Sequence, residues 1–587
     1  MLRLLPFALF ACAACSSNRP EAERGGASTG LHALFEREWE QHVRDDPLHA
    51  TRIGRSEGAD RLPSVRPGKL AERADNDAAL LAELRSIDVA KLSSADRIAY
   101  ETFEHMLLGR VADFGYRAWQ IPFESDSGFH TAFARLPKEV PLDSLADYEN
   151  YISRLEAFPV YVAEHIENMR RGMERGMTQP RAILNGFEST MSAHMVVDSR
   201  ESVFFEPFED LPADLTEEQR EALVVAGRRA IEEAVVPAYR TLYEFFTAEY
   251  VAGARETIAC SDLPDGRAYY EHLVRHFTTL DVTPEQVHEV GLREVERIRA
   301  EMQAIIEAVR FEGNFTAFLH FLRTDPRFYA KSPEALLERA SRICKRMDAA
   351  LPQLFGRLPR QPYGVEPVPE HIAPKYTAGR YVPAAAGSQE PGYYWVNTHA
   401  LESRPLYALP ALSLHEAVPG HHLQHAIAAE QEGVPEFRRF LYITAFGEGW
   451  GLYSERLGIE AGLYEDPYDD FGRLTYEMWR ACRLVVDTGM HALGWTREQA
   501  VDYMAERTAL SLHEVRTEVD RYISWPGQAL GYKMGELEIR RLRAWAEEQL
   551  GAAFDLRAFH DAILENGSIP LSALGRHIEA FVAAQRR

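Results

Sequence analysis

The sequence predicts a mainly α-helical protein, and three observations carry that prediction. Apolar residues recur at helical spacing along most of the chain, capping signatures open several of the apolar stripes, and strand-like composition is confined to one short stretch. At 587 residues, with 46% hydrophobic and 26% charged side chains, the chain can bury a large core and reads as globular, neither disordered nor fibrous.

The elements follow in order. "MLRLLPFALFACAACSSNRP" has one basic residue, Arg3, then an apolar run from Leu4 to Ala14 that ends in small residues. That is the pattern of a secretory signal over residues 1–15, too short to span a bilayer. "CAACSS" resembles the bacterial lipobox, whose cysteine is lipidated after cleavage; Cys15 is the expected anchor and Cys12 the alternative. An exported, membrane-anchored lipoprotein of the cell envelope, facing the periplasm, is expected. Residues 16–29, polar and rich in Gly and Ser, read as a flexible tether to a body at 30–587.

In the body, Leu31, Leu34, Phe35, Trp39 and Val43 share one helical stripe. "TPEQ" at Thr283 predicts a capping box with Pro284 at the first helical position, and Val287, Val290, Ile298, Met302, Ile305 and Val309 form the stripe behind it. "TREQ" at Thr496 repeats the signature. Residues 361–400, rich in Pro, Gly and aromatics, break the pattern; within them "GYYWVNT" predicts a strand at a cleft wall. Tyr393, Tyr394 and Asn397 are therefore expected to face substrate.

The formal charge of -24 argues against a nucleic-acid surface, which needs a basic footprint. Cys260, Cys344 and Cys482 are far apart and in no C-x-x-C pattern, so they suggest buried fillers or at most one disulfide, and no thiolate metal site.

The chemistry concentrates at "HEAVPGHHLQ", residues 415–424. It opens like the zinc-protease motif H-E-x-x-H, but the position four residues after His415 is Pro419. On a straight helix His422 would lie about 10 Å from His415 along the axis and His421 would point about 120° away, so neither could share its ion. Pro419 lacks the N–H that would bond residue 415 and Gly420 permits unusual dihedrals, so a bulge or restart is expected there. Such a deformation brings His421 into the second ligand position, with His422 the alternative. Glu448 in "FGEGWGLYSERL" is the natural third ligand, and Glu455, two turns on, would reach a histidine N–H.

Further on, Arg483, Asp487 and His491 fall on one helix face at steps of four, where Asp487 could orient either neighbour. Around a Pro-Gly turn, "DRYISWPGQALGYKMGEL" offers Arg521, Tyr522, Tyr532 and Lys533. A tyrosine there could donate to an oxyanion and a Lys or Arg could hold a carboxylate.

"HEAVPGHHLQ", "EGWGLYSERL", "RLVVDTGMHALGW" and "PGQALGYKMG" resemble the bacterial family catalogued as domain of unknown function 885, many of whose members look like lipoproteins. That family is in turn similar to helical zinc peptidases of the thimet oligopeptidase, angiotensin-converting-enzyme and Taq carboxypeptidase kind, a gluzincin-like group. The resemblance implies two helical lobes, at about 30–255 and 256–587, around a deep channel with a small sheet at its wall. It implies zinc on His415, His421 and Glu448, with Glu416 as general base and Tyr532 as oxyanion donor. His491 is expected to help Tyr532, and Lys533 or Arg521 to hold a terminal carboxylate. The expected activity is zinc-dependent hydrolysis of short peptides, with the 393–398 strand pairing with substrate. The alternatives are a non-catalytic lipoprotein that binds peptide or metal, and a zinc amidase or esterase.

Overall fold

The computed structural model describes residues 21–370, 373, 376–384 and 391–586. The expected signal, Cys12 and Cys15 lie outside the described residues. The chain is mainly helical with one three-stranded sheet. Helix α1 runs Glu21–Asp45, so it begins inside the stretch expected to be a tether. Ser28 donates to Asp96 at 2.6 Å, which ties that stretch to the body. Leu31, Leu34, Phe35, Trp39 and Val43 are all buried, and Phe35 packs edge-on against Phe103.

Helices α2 (Gly266–Thr278) and α3 (Pro284–Ala308) follow. The capping box at Thr283 forms as its sequence requires: Gln286 N–H donates to the Thr283 hydroxyl, and the Gln286 side chain accepts from Thr283 N–H. The seam of α3 differs from the expected stripe, because Gly291, Val295 and Ile306 are buried in place of Val290, Ile305 and Val309. Gly291 sets that choice. A Cβ there would come within 2.7 Å of Leu484 and 2.8 Å of Val485, so the two backbones cross closely at that glycine. The free cysteines Cys260, Cys344 and Cys482 are buried as fillers.

Three strands, not one, make the sheet: β1 (Tyr363–Pro367), β2 (Gly379–Val382) and β3 (Gly392–Val396). Their order is β1-β3-β2. β3 pairs in parallel with β1, Tyr363 opposite Gly392, and antiparallel with β2, Tyr381 opposite Tyr394. The strand legible in the sequence is thus the central one, and both of its edges are taken. It cannot pair with a substrate, which corrects the expectation above. Tyr394 points into the core with no exposure, near the Ser413 hydroxyl. Asn397 is equally buried and donates to the carbonyls of Ala373, Tyr376 and Thr377 while accepting from His399 N–H. It organises the turn into β2 and does not face substrate. Tyr393 is half-buried, its ring over Gly364 of β1.

The remaining elements carry the site: α4 (Leu409–Glu416), α5 (His421–Ala429), α6 (Thr444–Glu460), α7 (Pro467–Ala492), α8 (Leu512–Ser524) and α9 (Leu530–Leu550). α7 is buried along nearly its whole length, packed against α3 on one side and against α4 and α9 on others.

Candidate metal centre

α4 ends at Glu416 because Ala417 leaves the helical region, with φ -93° and ψ -105°. The Val418-Pro419 peptide is cis, and α5 restarts at His421. Between the helices Gly420 N–H donates to Leu414 O at 2.9 Å. A Cβ on Gly420 would fall 1.9 Å from His415 O, so only glycine permits this close turn. Trp450 of α6 pins the elbow by donating its indole N–H to Pro419 O at 2.8 Å.

The elbow brings the imidazoles of His415 and His421 together, ring centroids 4.8 Å apart and planes at 89°. Glu448 of α6 completes the group: its Oε2 lies 3.4 Å from His415 Nε2 and 3.5 Å from His421 Nε2. All three donor atoms lie within 4.8 Å of one another. Separations of 3.4 and 3.5 Å are too long for good hydrogen bonds, but they match the spacing of about 3.3–3.5 Å between ligands of one tetrahedral zinc ion at about 2.0–2.2 Å. The donor set therefore fits such an ion. Among the described residues, this is the one group of His, Cys, Asp and Glu close enough to share one.

Two of the three candidate ligands are held from behind. His415 Nδ1 lies 2.8 Å from Glu455 Oε1, which fixes the tautomer that leaves Nε2 free to coordinate. Glu448 Oε1 accepts from the Tyr442 hydroxyl at 3.0 Å. Burial opposes charge on His415, yet the carboxylates of Glu448 and Glu455 outweigh it and raise its pKa to about 9. Burial opposes charge on Glu448 too, and the facing imidazoles of His421 and His415 hold it well below the usual carboxylate range. Glu416 points toward the sheet, and its Oε2 accepts from Tyr381 N–H of β2 at 2.8 Å.

The glycines of "FGEGWG" explain how α6 fits between these neighbours. A Cβ on Gly451 would lie 2.7–2.8 Å from the His415 ring, and one on Gly447 would lie 2.3 Å from the Tyr442 ring. Gly449, on the opposite face, meets Gly535 of α9, where a Cβ would lie 2.6 Å from the partner's Cα. That crossing carries Tyr532 to the centre, half-buried, with Arg483 4.3 Å and Arg480 6.0 Å from its ring centroid. Burial and the nearby Glu448 charge raise the Tyr532 pKa, so the phenol keeps its proton.

Several expected site residues have other work. His422 turns away from His421: its Nδ1 lies 3.1 Å from the Tyr381 hydroxyl and its ring packs on Tyr363. His491 cannot assist Tyr532, because its Nδ1 accepts from Cys260 N–H and its Nε2 donates to Tyr522 O, both at 3.0 Å. Asp487 orients neither neighbour. It accepts from the Tyr270 hydroxyl at 2.5 Å and from Gly527 N–H at 3.1 Å, and burial raises its pKa to about 7. Lys533 has no exposure and sits among Glu294, Glu477 and Glu536 at 2.8–3.0 Å, joining α3, α7 and α9, so it cannot hold a substrate. Tyr522 is also fully buried; it donates to Glu518 and accepts from Trp479 and Arg483. Arg521 keeps partial exposure and bonds Gln528 and Glu518.

Sequence reasoning missed Tyr442 and His425. His425 lies one turn after His421, the signal that could have found it, and its ring stacks on Tyr442 at 5.9 Å and 5°. Tyr442 lies outside the helical stripes and carries no spacing signal.

Among the solved structures that share the fold are two described as lipoproteins. A "putative lipoprotein" from Colwellia psychrerythraea is 28% identical, with a TM-score of 0.88 over 95% of this chain and 100% of that one. A "putative lipoprotein of unknown function" from Shewanella oneidensis, 19% identical, gives a TM-score of 0.72 over 93% and 99% of the two chains, a likeness of fold alone. No curated protein matches the chain. The pattern of the family described as "Bacterial protein of unknown function (DUF885)" matches residues 47–578, and the chain belongs to that family.

Proposed function

We propose that this chain is a zinc-dependent peptidase acting on short peptides in the bacterial cell envelope. The observation that carries the reading is the meeting of a two-histidine, one-glutamate donor set with a further carboxylate, Glu416, next in sequence to the first ligand. That donor set is typical of zinc hydrolases, which keep the fourth position open. Zinc held by His415, His421 and Glu448 would acidify a water and polarise a carbonyl.

The remaining chemistry belongs to the chain. Glu416 takes the proton of the attacking water and delivers it to the leaving amine. Its second oxygen is anchored by Tyr381 N–H, which aims the carboxylate. Tyr532 keeps its proton and donates a hydrogen bond where negative charge develops. The two-lobed channel implied by the peptidase resemblance would exclude folded proteins. Export and lipid anchoring are supported by the 28%-identical structure from Colwellia psychrerythraea, itself described as a "putative lipoprotein". Among the described residues, no helix is long and apolar enough to cross a membrane.

A purely binding role has no need of a carboxylate next in sequence to His415 and held in place by a backbone N–H, and this favours catalysis over it. The test pairs metal analysis of the purified protein with a mixed-peptide digest, wild type against Glu416→Gln. Stoichiometric zinc in both proteins is expected, with cleavage reduced by about 10²–10⁴ in the variant. Equal cleavage by both, or a wild type that takes up no zinc, overturns the reading.

A further inference from the structure

A cavity of about 360 Å³ opens between α4, α7 and the start of α8, and none of His415, His421, Glu448, Glu416 or Tyr532 lines it. Its apolar wall is Leu409 and Leu412 of α4, Tyr476 of α7, Val396 at the end of β3, Tyr407 and Leu510. All six are buried. Protein interiors are close-packed, so a chamber of this size among apolar side chains is room for a ligand and not a packing fault.

The polar groups at the wall divide into those already engaged and those that are not. Arg323 donates to the carbonyls of Leu510, Thr508 and Ala505, and the Tyr329 hydroxyl to those of Leu322 and Arg323. Arg404 is different: partly buried, its guanidinium makes no hydrogen bond and no ion pair among the described residues. Glu514 and Glu402 act on it only from beyond contact. Glu514 lines the same cavity, but burial and the neighbouring Glu518 charge raise its pKa to about 7, so below that pH most of the Arg404 charge is unopposed. Thr475, 2% exposed, also keeps its hydroxyl without a partner among the described residues, although a helical threonine can return it to a carbonyl one turn back.

We infer that this cavity binds an apolar monocarboxylate of the medium-chain fatty-acid kind, its carboxylate on Arg404 and its hydrocarbon body among the six apolar side chains. A guanidinium offers paired donors to a planar carboxylate, and one that is partly buried without an anion is left under-compensated. Arg404 suits a single negative charge; Glu514 opposes a second when it ionises, which disfavours a phosphate dianion. The volume lies near the low end of the range for small-ligand sites, about 300–1,000 Å³, and suits a short hydrocarbon body. The Thr475 hydroxyl remains to bond the ligand as well. Because the site shares no residue with the candidate metal centre, the inference stands apart from the peptidase reading.

The test is calorimetry on the full chain, with and without added zinc, using octanoate, octanamide and acetate. At about pH 6 octanoate is expected to saturate a single site, octanamide to bind at least about 10-fold more weakly and acetate not measurably, with zinc making no difference. Arg404→Gln should erase the advantage of octanoate over octanamide. Between about pH 6 and 8 Glu514 loses its proton near the bound carboxylate; Glu518 adds to the repulsion, and Arg404, Arg480 and Arg483 oppose it. Octanoate affinity should therefore fall by about 3–10-fold over that range while octanamide affinity stays level, and Glu514→Gln should flatten the fall. Equal binding of acid and amide, or an acid preference that survives Arg404→Gln, overturns the site. The amide comparison and the pH profile are read on the wild type, so they decide even if a variant fails to fold: an octanoate affinity level across that range overturns the site too.

Discussion

His415 shows how little freedom a candidate metal ligand is given. Glu455 holds one ring nitrogen, Glu448 faces the other, and Gly451 leaves the space the ring occupies. Gly451→Ala should therefore cost metal binding with little loss of fold, read as zinc content against circular dichroism. Zinc retained at full stoichiometry would show that the ring can step aside. His421→Ala should release zinc and His422→Ala should keep it, since His421 faces Glu448 and His422 faces Tyr381. Glu455→Gln should weaken zinc by about 10–100-fold, as a competition titration would show. The meeting of His415, His421 and Glu448 was legible because a seven-residue step on α6 and a Pro-Gly break after His415 constrain geometry directly. Lys533, His491, Asp487 and Asn397 misled because their residue types serve equally in a cleft or a core. What decides between the two is the rotation of each helix, set by distant contacts.

At the level of elements, the α6–α9 crossing fixes that rotation. Gly449 and Gly535 bring the two backbones into contact, and this turns Lys533 inward and Tyr532 toward Glu448. Gly535→Ala would place a Cβ 1.9 Å from Ala445 O, so the helices must part. A loss of about 1–3 kcal/mol in urea unfolding is expected, with a fall in activity from the displaced tyrosine. Wild-type stability in that variant would mean that α9 can slide. Helix starts were readable where a capping box marks them, as at Thr283 and Thr496. β1 and β2 were not, because "YGVEP" and "GRYV" are short and carry Gly or Pro, and only pairing with β3 makes strands of them.

Across the whole molecule, buried titratable groups set the response to pH. Burial lowers His105, His130, His165, His491 and His560 to about 3. Between about 3 and 6.5 the unfolded chain binds protons at these sites that the folded chain refuses, so their contribution to stability grows as pH rises and is complete above about 6.5. Burial acts the other way on Glu124, Asp487 and Glu514, each raised to about 7. Their contribution is full below about 4, falls as pH rises from about 4 to about 7, and is spent above that. The five histidines outnumber the three acids, so the thermal midpoint should rise from about pH 4.5 to about 6 and level off above about 7. A midpoint still climbing at about pH 8 would mean that other groups dominate.

The elbow at Val418–Gly420 has a consequence for measurement. Because the two imidazoles ride on separate helices, the grip on an ion becomes a gauge of the angle between α4 and α5. A rotation of a few degrees would part the ligands while leaving both helices whole, so circular dichroism would not register it. Metal affinity, compared across variants placed far from the ligands, would then work as a goniometer for the hinge and reveal which parts of the fold hold it shut.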